Sequence, residues 1–71
     1  MANDKIINLW NELKILFESV DNDVLKNASG NTSAGVRARR GFKPIKKKIT
    51  ELTRLMIEIE KARKESEKGN A

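Results

Sequence analysis

Gly30-Asn31-Thr32-Ser33-Ala34-Gly35-Val36-Arg37-Ala38-Arg39-Arg40-Gly41-Phe42-Lys43-Pro44-Ile45-Lys46-Lys47-Lys48 decides how this chain is read. The stretch opens as a turn and becomes a helix start. Asn27-Ala28-Ser29-Gly30-Asn31 supplies Gly and Asn, which tolerate left-handed backbone where a helix ends. Thr32 and Ser33 offer side-chain oxygens to cap the next helix. A connection this short makes two helices antiparallel neighbours. The same stretch carries Arg37, Arg39, Arg40, Lys43, Lys46, Lys47 and Lys48, with no acid between the first and the last.

Upstream, Ile6, Leu9, Trp10, Leu13, Leu16, Phe17, Val20 and Val24 recur at the spacing of one helical face. They predict a first helix over about residues 4–27, with a turn at 28–32. Asn3 is placed to cap it, and Asp4 sits where the helix dipole favours negative charge. Trp10 and Phe17 share the apolar face, away from the basic run. We read them as core packing rather than as a platform for stacking bases. Ile7, Ile15 and Leu25 widen the apolar surface and point to a partner.

Downstream, Ala34, Ala38, Phe42, Ile45, Ile49, Leu52, Met56, Ile59 and Ala62 follow steps of three and four, close to a coiled-coil seam. They predict a second helix over about residues 33–66 and a frayed tail at 67–71. Gly41 costs helix stability, and Pro44 lacks a donor and crowds the carbonyl of Arg40. Either a short piece over 33–41 precedes a kink, or the long helix begins near Pro44. The apolar period passes through Ala38, Phe42 and Ile45 in phase, which favours a kinked, continuous helix.

Composition narrows the function. A chain of 71 residues buries a limited core. It has no cysteine and no histidine, which removes disulfides, the usual metal ligands and the common nucleophile–base pairs. The expected class is therefore not an enzyme, with no metal, cofactor or small-molecule substrate. Gly30 to Gly35 lacks the Gly-Lys-Ser/Thr ending of a P-loop. Self-association is the remaining route to a larger core, so the expected fold is an all-α antiparallel hairpin that assembles into a dimer or higher helical bundle. Trp10, Leu13, Phe17, Val20, Phe42, Ile45, Ile49, Leu52, Met56 and Ile59 are its expected core and oligomer contacts. No apolar run approaches the roughly 20 residues needed to cross a bilayer, and no signal peptide is visible, so a cytoplasmic location is expected.

Charge is unevenly placed. The net charge is +5, yet acids outnumber lysines in residues 1–31, and the excess of cations lies entirely beyond them. In a helix Arg39, Lys43, Lys46 and Lys47 share a face, and Arg40, Lys43, Lys47 and Arg54 trace an adjacent row. The apolar seam forces these cations outward. Their mutual repulsion is relieved when phosphates neutralise them and release counterions. Amides at the start of the second helix, with Gly30, Gly35, Thr32 and Ser33, would let a phosphate approach closely. Arg37 and Arg39 could make bidentate phosphate contacts or reach into the minor groove. The expected partner is double-stranded DNA, bound without sequence preference, through Thr32, Ser33, Arg37, Arg39, Arg40, Lys43, Lys46, Lys47 and Lys48. About six phosphate contacts would give a log-affinity against log-salt slope near −5 per chain. The rival readings are a helical adaptor whose seam docks a partner helix, and an RNA- or ribosome-associated basic protein.

Gly30-Asn31-Thr32-Ser33-Ala34-Gly35-Val36-Arg37-Ala38-Arg39-Arg40, then Ile45-Lys46-Lys47 and Leu52-Thr53-Arg54-Leu55, resembles the bacterial linker-histone-like nucleoid proteins, known from chlamydiae and from short proteins of other bacteria. The resemblance covers about residues 24–64. It implies DNA binding, chromosome compaction and a nucleoid location in a bacterium or its phage. It implies that Arg37, Arg39, Arg40, Lys46 and Lys47 contact DNA. Gly41 and Pro44 depart from the family's usual unbroken helix. The Lys/Ala-rich tail of the chlamydial members does not follow, so an oligomer would have to supply bridging.

Overall fold

A computed structural model describes residues 3–69, with side chains described over 3–64. It contains two helices, α1 (Asp4–Ala28) and α2 (Thr32–Gly69), and no strand among the described residues. The side chain of Asn3 caps α1, its Oδ1 accepting from the amides of Lys5 at 3.0 Å and Ile6 at 3.2 Å. Asp4 lies in the first turn.

The junction is tight because each residue of it has a bond to make. The Gly30 amide donates to the Asn27 carbonyl at 2.9 Å, and the Asn31 amide donates to the Lys26 carbonyl at 3.0 Å. This is the paired pattern that closes a helix around a left-handed residue. Gly30 has φ 105°, where an L side chain would be strained. Asn31 then starts α2. Its Oδ1 accepts from the Ala34 amide at 3.0 Å, and its carbonyl accepts from the Gly35 amide at 3.3 Å. The cap is thus Asn31, not Thr32 or Ser33, which fall inside the first turn. Asn31 wins because Gly30 has already turned its backbone out of the helix, leaving its short amide free to fold over the new one.

The helices run antiparallel in a simple register. Asn27 lies beside Gly35, Asp23 meets Arg37, Val20 lies against Gly41, and Glu12 meets Lys48. Each pair of numbers sums to about 61. Leu13, Val20 and Ile45 form the buried cluster, with Leu16, Phe42 and Leu52 packed partly against it. Ala34 and Ala38 are buried nearer the turn, where small side chains let the helices converge.

Gly41 belongs to this convergence. A Cβ there would overlap the Cγ1 of Val20, so the glycine permits close approach at the helix's expense. Gly35 is likewise buried, against the side chain of Asn27. That position serves helix packing and not the approach of a phosphate. α2 passes through Gly41 and Pro44 unbroken, so it does not begin near Pro44. Arg40, whose carbonyl Pro44 leaves without a donor, and Pro44 itself are both exposed.

Core packing does not account for Trp10 and Phe17. Both stay exposed in the single chain, as do Ile49 and Met56, while Ile59 is half-buried. Two helices meet along one narrow strip, and an apolar face wider than that strip is left uncovered. α2 also outlasts α1. Asp4 lies opposite residue 57 or so, and α2 continues through 67–69, which the periodicity places in a frayed tail. Residues 70 and 71 lie outside the described residues. No helix among the described residues is long and apolar enough to cross a membrane.

Candidate nucleic-acid interface

The seven cations of the basic stretch divide into two groups, and helix geometry decides which falls where. At about 100° per residue, Arg37 and Lys48 lie on the flank of α2 beside the core line of Ala38, Ile45 and Leu52. That flank faces the acids of α1. Arg37 places both Nε and Nη2 at 3.1 Å from one oxygen of Asp23. The Nζ of Lys48 lies 2.8 Å from Glu12 and 3.8 Å from Glu51. The hydrogen bond to Glu12 raises the Lys48 ammonium above its ordinary pKa, against desolvation, with the charges of Glu12 and Glu51 adding to the rise. Lys48 therefore stays charged throughout the neutral range, and the stabilisation that goes with its raised pKa is lost only as pH climbs into the alkaline region.

Arg39, Arg40, Lys43, Lys46 and Lys47 fall on the outer arc of α2, turned away from α1. All five are exposed and none makes an ion pair among the described residues. They occupy about 12 Å of helix, a length over which duplex DNA carries about seven phosphate charges. No acid interrupts the arc before Glu51. Arg54 continues it about two turns beyond Lys47, also exposed and unpaired among the described residues.

Thr32 and Ser33 are exposed in the first turn of α2, nearly two turns before the arc begins. The Ala34 amide beside them is already bonded to Asn31. The structure thus brings five of the nine expected contact residues onto one face. It ties two to α1 and leaves two at the helix start. The apolar period places Arg37 and Lys48 on the flank of α2, but it could not name their partners, which are set by the register between helices.

The family model for the histone H1-like protein Hc1 matches residues 7–62, from the first turn of α1 to the last third of α2. The chain belongs to this histone H1-like family. No curated protein and no solved structure matches it. The matched span contains the Hc1-like chain's junction, all seven cations of its basic stretch and both acids, Glu12 and Asp23, that hold two of them.

Proposed function

We propose that this histone H1-like chain binds double-stranded DNA without sequence preference and helps to compact it, the outer face of α2 lying along the phosphate backbone. The observation that carries the reading is the acid-free arc of Arg39, Arg40, Lys43, Lys46 and Lys47, exposed and without partners inside the chain. Long flexible cations spread over a regular helix contact phosphates and read no base edges, so affinity follows charge rather than sequence. Arg39 is the arginine best placed to reach into a groove, since Arg37 is engaged with Asp23. Family membership supports the same reading, as does the absence of an acid–base constellation in the sequence.

Binding of a labelled duplex, followed by fluorescence anisotropy across a salt series, tests this. Five contacts predict a slope of about −4 to −5 per chain, the same for unrelated sequences. A flat salt response, or tighter binding to structured RNA in competition, would remove the DNA reading.

A further inference from the structure

The cations of the outer arc are laid out symmetrically about one residue. Lys43 is at the centre, and its helical neighbours three and four residues away, Arg39, Arg40, Lys46 and Lys47, are all cations. At about 100° per residue, Arg39 and Lys46 lie about 40–60° to one side of Lys43. Lys47 and Arg40 lie about 40–60° to the other side. The arc is therefore a crest with two edges. Each edge holds a pair of cations about 10.5 Å apart along the axis.

Two edges call for two rows of phosphate. Were α2 laid along a single strand, one edge would be turned to solvent. With its side chains a helix is about 10–12 Å across. That matches the major groove of B-form DNA, about 12 Å wide, and exceeds the minor groove, about 6 Å wide. Seated in the major groove, α2 sets one edge against each phosphate wall and turns Lys43 to the floor. Every base pair offers an acceptor there, so a flexible ammonium finds a partner on any sequence. Nor is Lys43 the apolar wedge that many minor-groove proteins insert between base steps.

The hairpin leaves room for this placement. All five cations are turned away from α1. Packed helix axes lie about 8–10 Å apart, and the major groove is about 8.5 Å deep, so α1 rides at its mouth. Glu12 and Asp23, on the flank of α1, are already paired with Lys48 and Arg37. The sequence also marks where α2 leaves the groove, since a straight helix follows a curved groove for only a few turns. Beyond Lys47, the edge of Arg40 and Lys47 continues as Glu51 and Glu58, which phosphates repel.

We propose that α2 enters the major groove of B-form DNA, with Arg39 and Lys46 on one phosphate wall and Arg40 and Lys47 on the other. The same geometry disfavours double-stranded RNA, whose A-form major groove is deep and narrow. The placement rests on the DNA reading above and narrows it to one groove and one form of duplex.

The wild-type chain is titrated against one labelled DNA duplex in three forms and followed by anisotropy. One form is unmodified. One carries glucose on 5-hydroxymethylcytosine, which obstructs the major groove. One is loaded with distamycin, which fills the minor groove of A·T runs. Glucosylation should weaken binding by at least about tenfold near 0.1 M salt and flatten the salt slope by about 1.8, because the two contacts of one edge are lost. Distamycin should leave affinity and slope unchanged. Duplex RNA of the same sequence should lose the same edge and bind at least about tenfold more weakly than DNA. Dimethyl sulfate gives an independent reading on the unmodified duplex. At saturation the chain should protect guanine N7, in the major groove, and leave adenine N3, in the minor groove, reactive. Indifference to glucose, displacement by distamycin, protection of N3 alone, or equal binding of duplex RNA overturns the placement. A chain that binds unmodified DNA with the expected salt slope but ignores the glucose overturns the groove alone. A chain that binds no duplex overturns the DNA reading with it.

Discussion

Gly41 and Asp23 show how single side chains set the terms for their neighbours. Glycine weakens a helix interior by about 1 kcal/mol relative to alanine, so Gly41→Ala would be expected to stabilise α2 taken alone. In the hairpin the new methyl meets Val20, a stiff β-branched side chain in the buried cluster. Overpacking of this kind costs about 1–3 kcal/mol. The expected net result is a lower urea midpoint for Gly41→Ala, and a higher one would mean that the helices do not approach as described. Asp23 acts on binding. Its pair with Arg37 is partly exposed, and such pairs stabilise a fold by less than about 1 kcal/mol. Asp23→Asn should therefore leave the fold nearly unchanged while releasing Arg37 to the phosphates. Duplex binding should tighten, and the salt slope should steepen by about 0.9. An unchanged slope would mean that Arg37 does not reach DNA even when released.

α2 combines two faces, and they can be altered separately. Replacing Arg39, Lys43 and Lys47 together with Gln, a good helix former, should flatten the salt slope by about 2.7. Helical circular dichroism should not change, since all three are exposed and unpaired among the described residues. A loss of helix would show that the arc supports the fold as well as binding. Much of this helix was legible beforehand. Periodicity located Ile45 and Leu52 on the inner side and the cations on the outer, because both depend only on spacing along one helix. Gly30 and Asn3 were legible for the same reason, their chemistry being local. What spacing could not reach was anything set by α1 against α2. Gly41 read as a breaker, and Gly35 as an approach for phosphate, until their neighbours Val20 and Asn27 were in place. Arg37 and Lys48 read as free until the register brought Asp23 and Glu12 to them. Trp10 and Phe17 read as core because a face can be identified from period, while the width that a neighbour covers cannot. Thr32 and Ser33 are good capping residues, but Asn31 occupies the one position already turned out of the helix.

Among the described residues the hairpin buries few side chains completely, and only Leu13, Val20 and Ile45 of the larger ones. A chain of this size with so small a core needs further burial to hold its shape. Self-association through the exposed Trp10, Phe17 and Ile49, as expected from the sequence, would supply it, and folding would then be linked to association. The expected sign is a melting temperature that rises with protein concentration, measured by circular dichroism over a hundredfold range. A melting temperature independent of concentration would show a monomer that is stable by itself. Compaction would follow from the same pairing, since two cationic arcs on one particle can hold separate stretches of duplex.

Past about residue 57, α2 has no α1 beside it. It extends this way for about 18 Å, at 1.5 Å per residue. Whatever is joined there rides on a rod instead of a slack tether. Its reach can be lengthened or shortened by whole turns, about 5.4 Å each, without disturbing Leu13, Val20 or Ile45, because none of them touches that part of the helix. Reach and folding are thereby separable in this molecule, and variants of different span need share nothing but the hairpin.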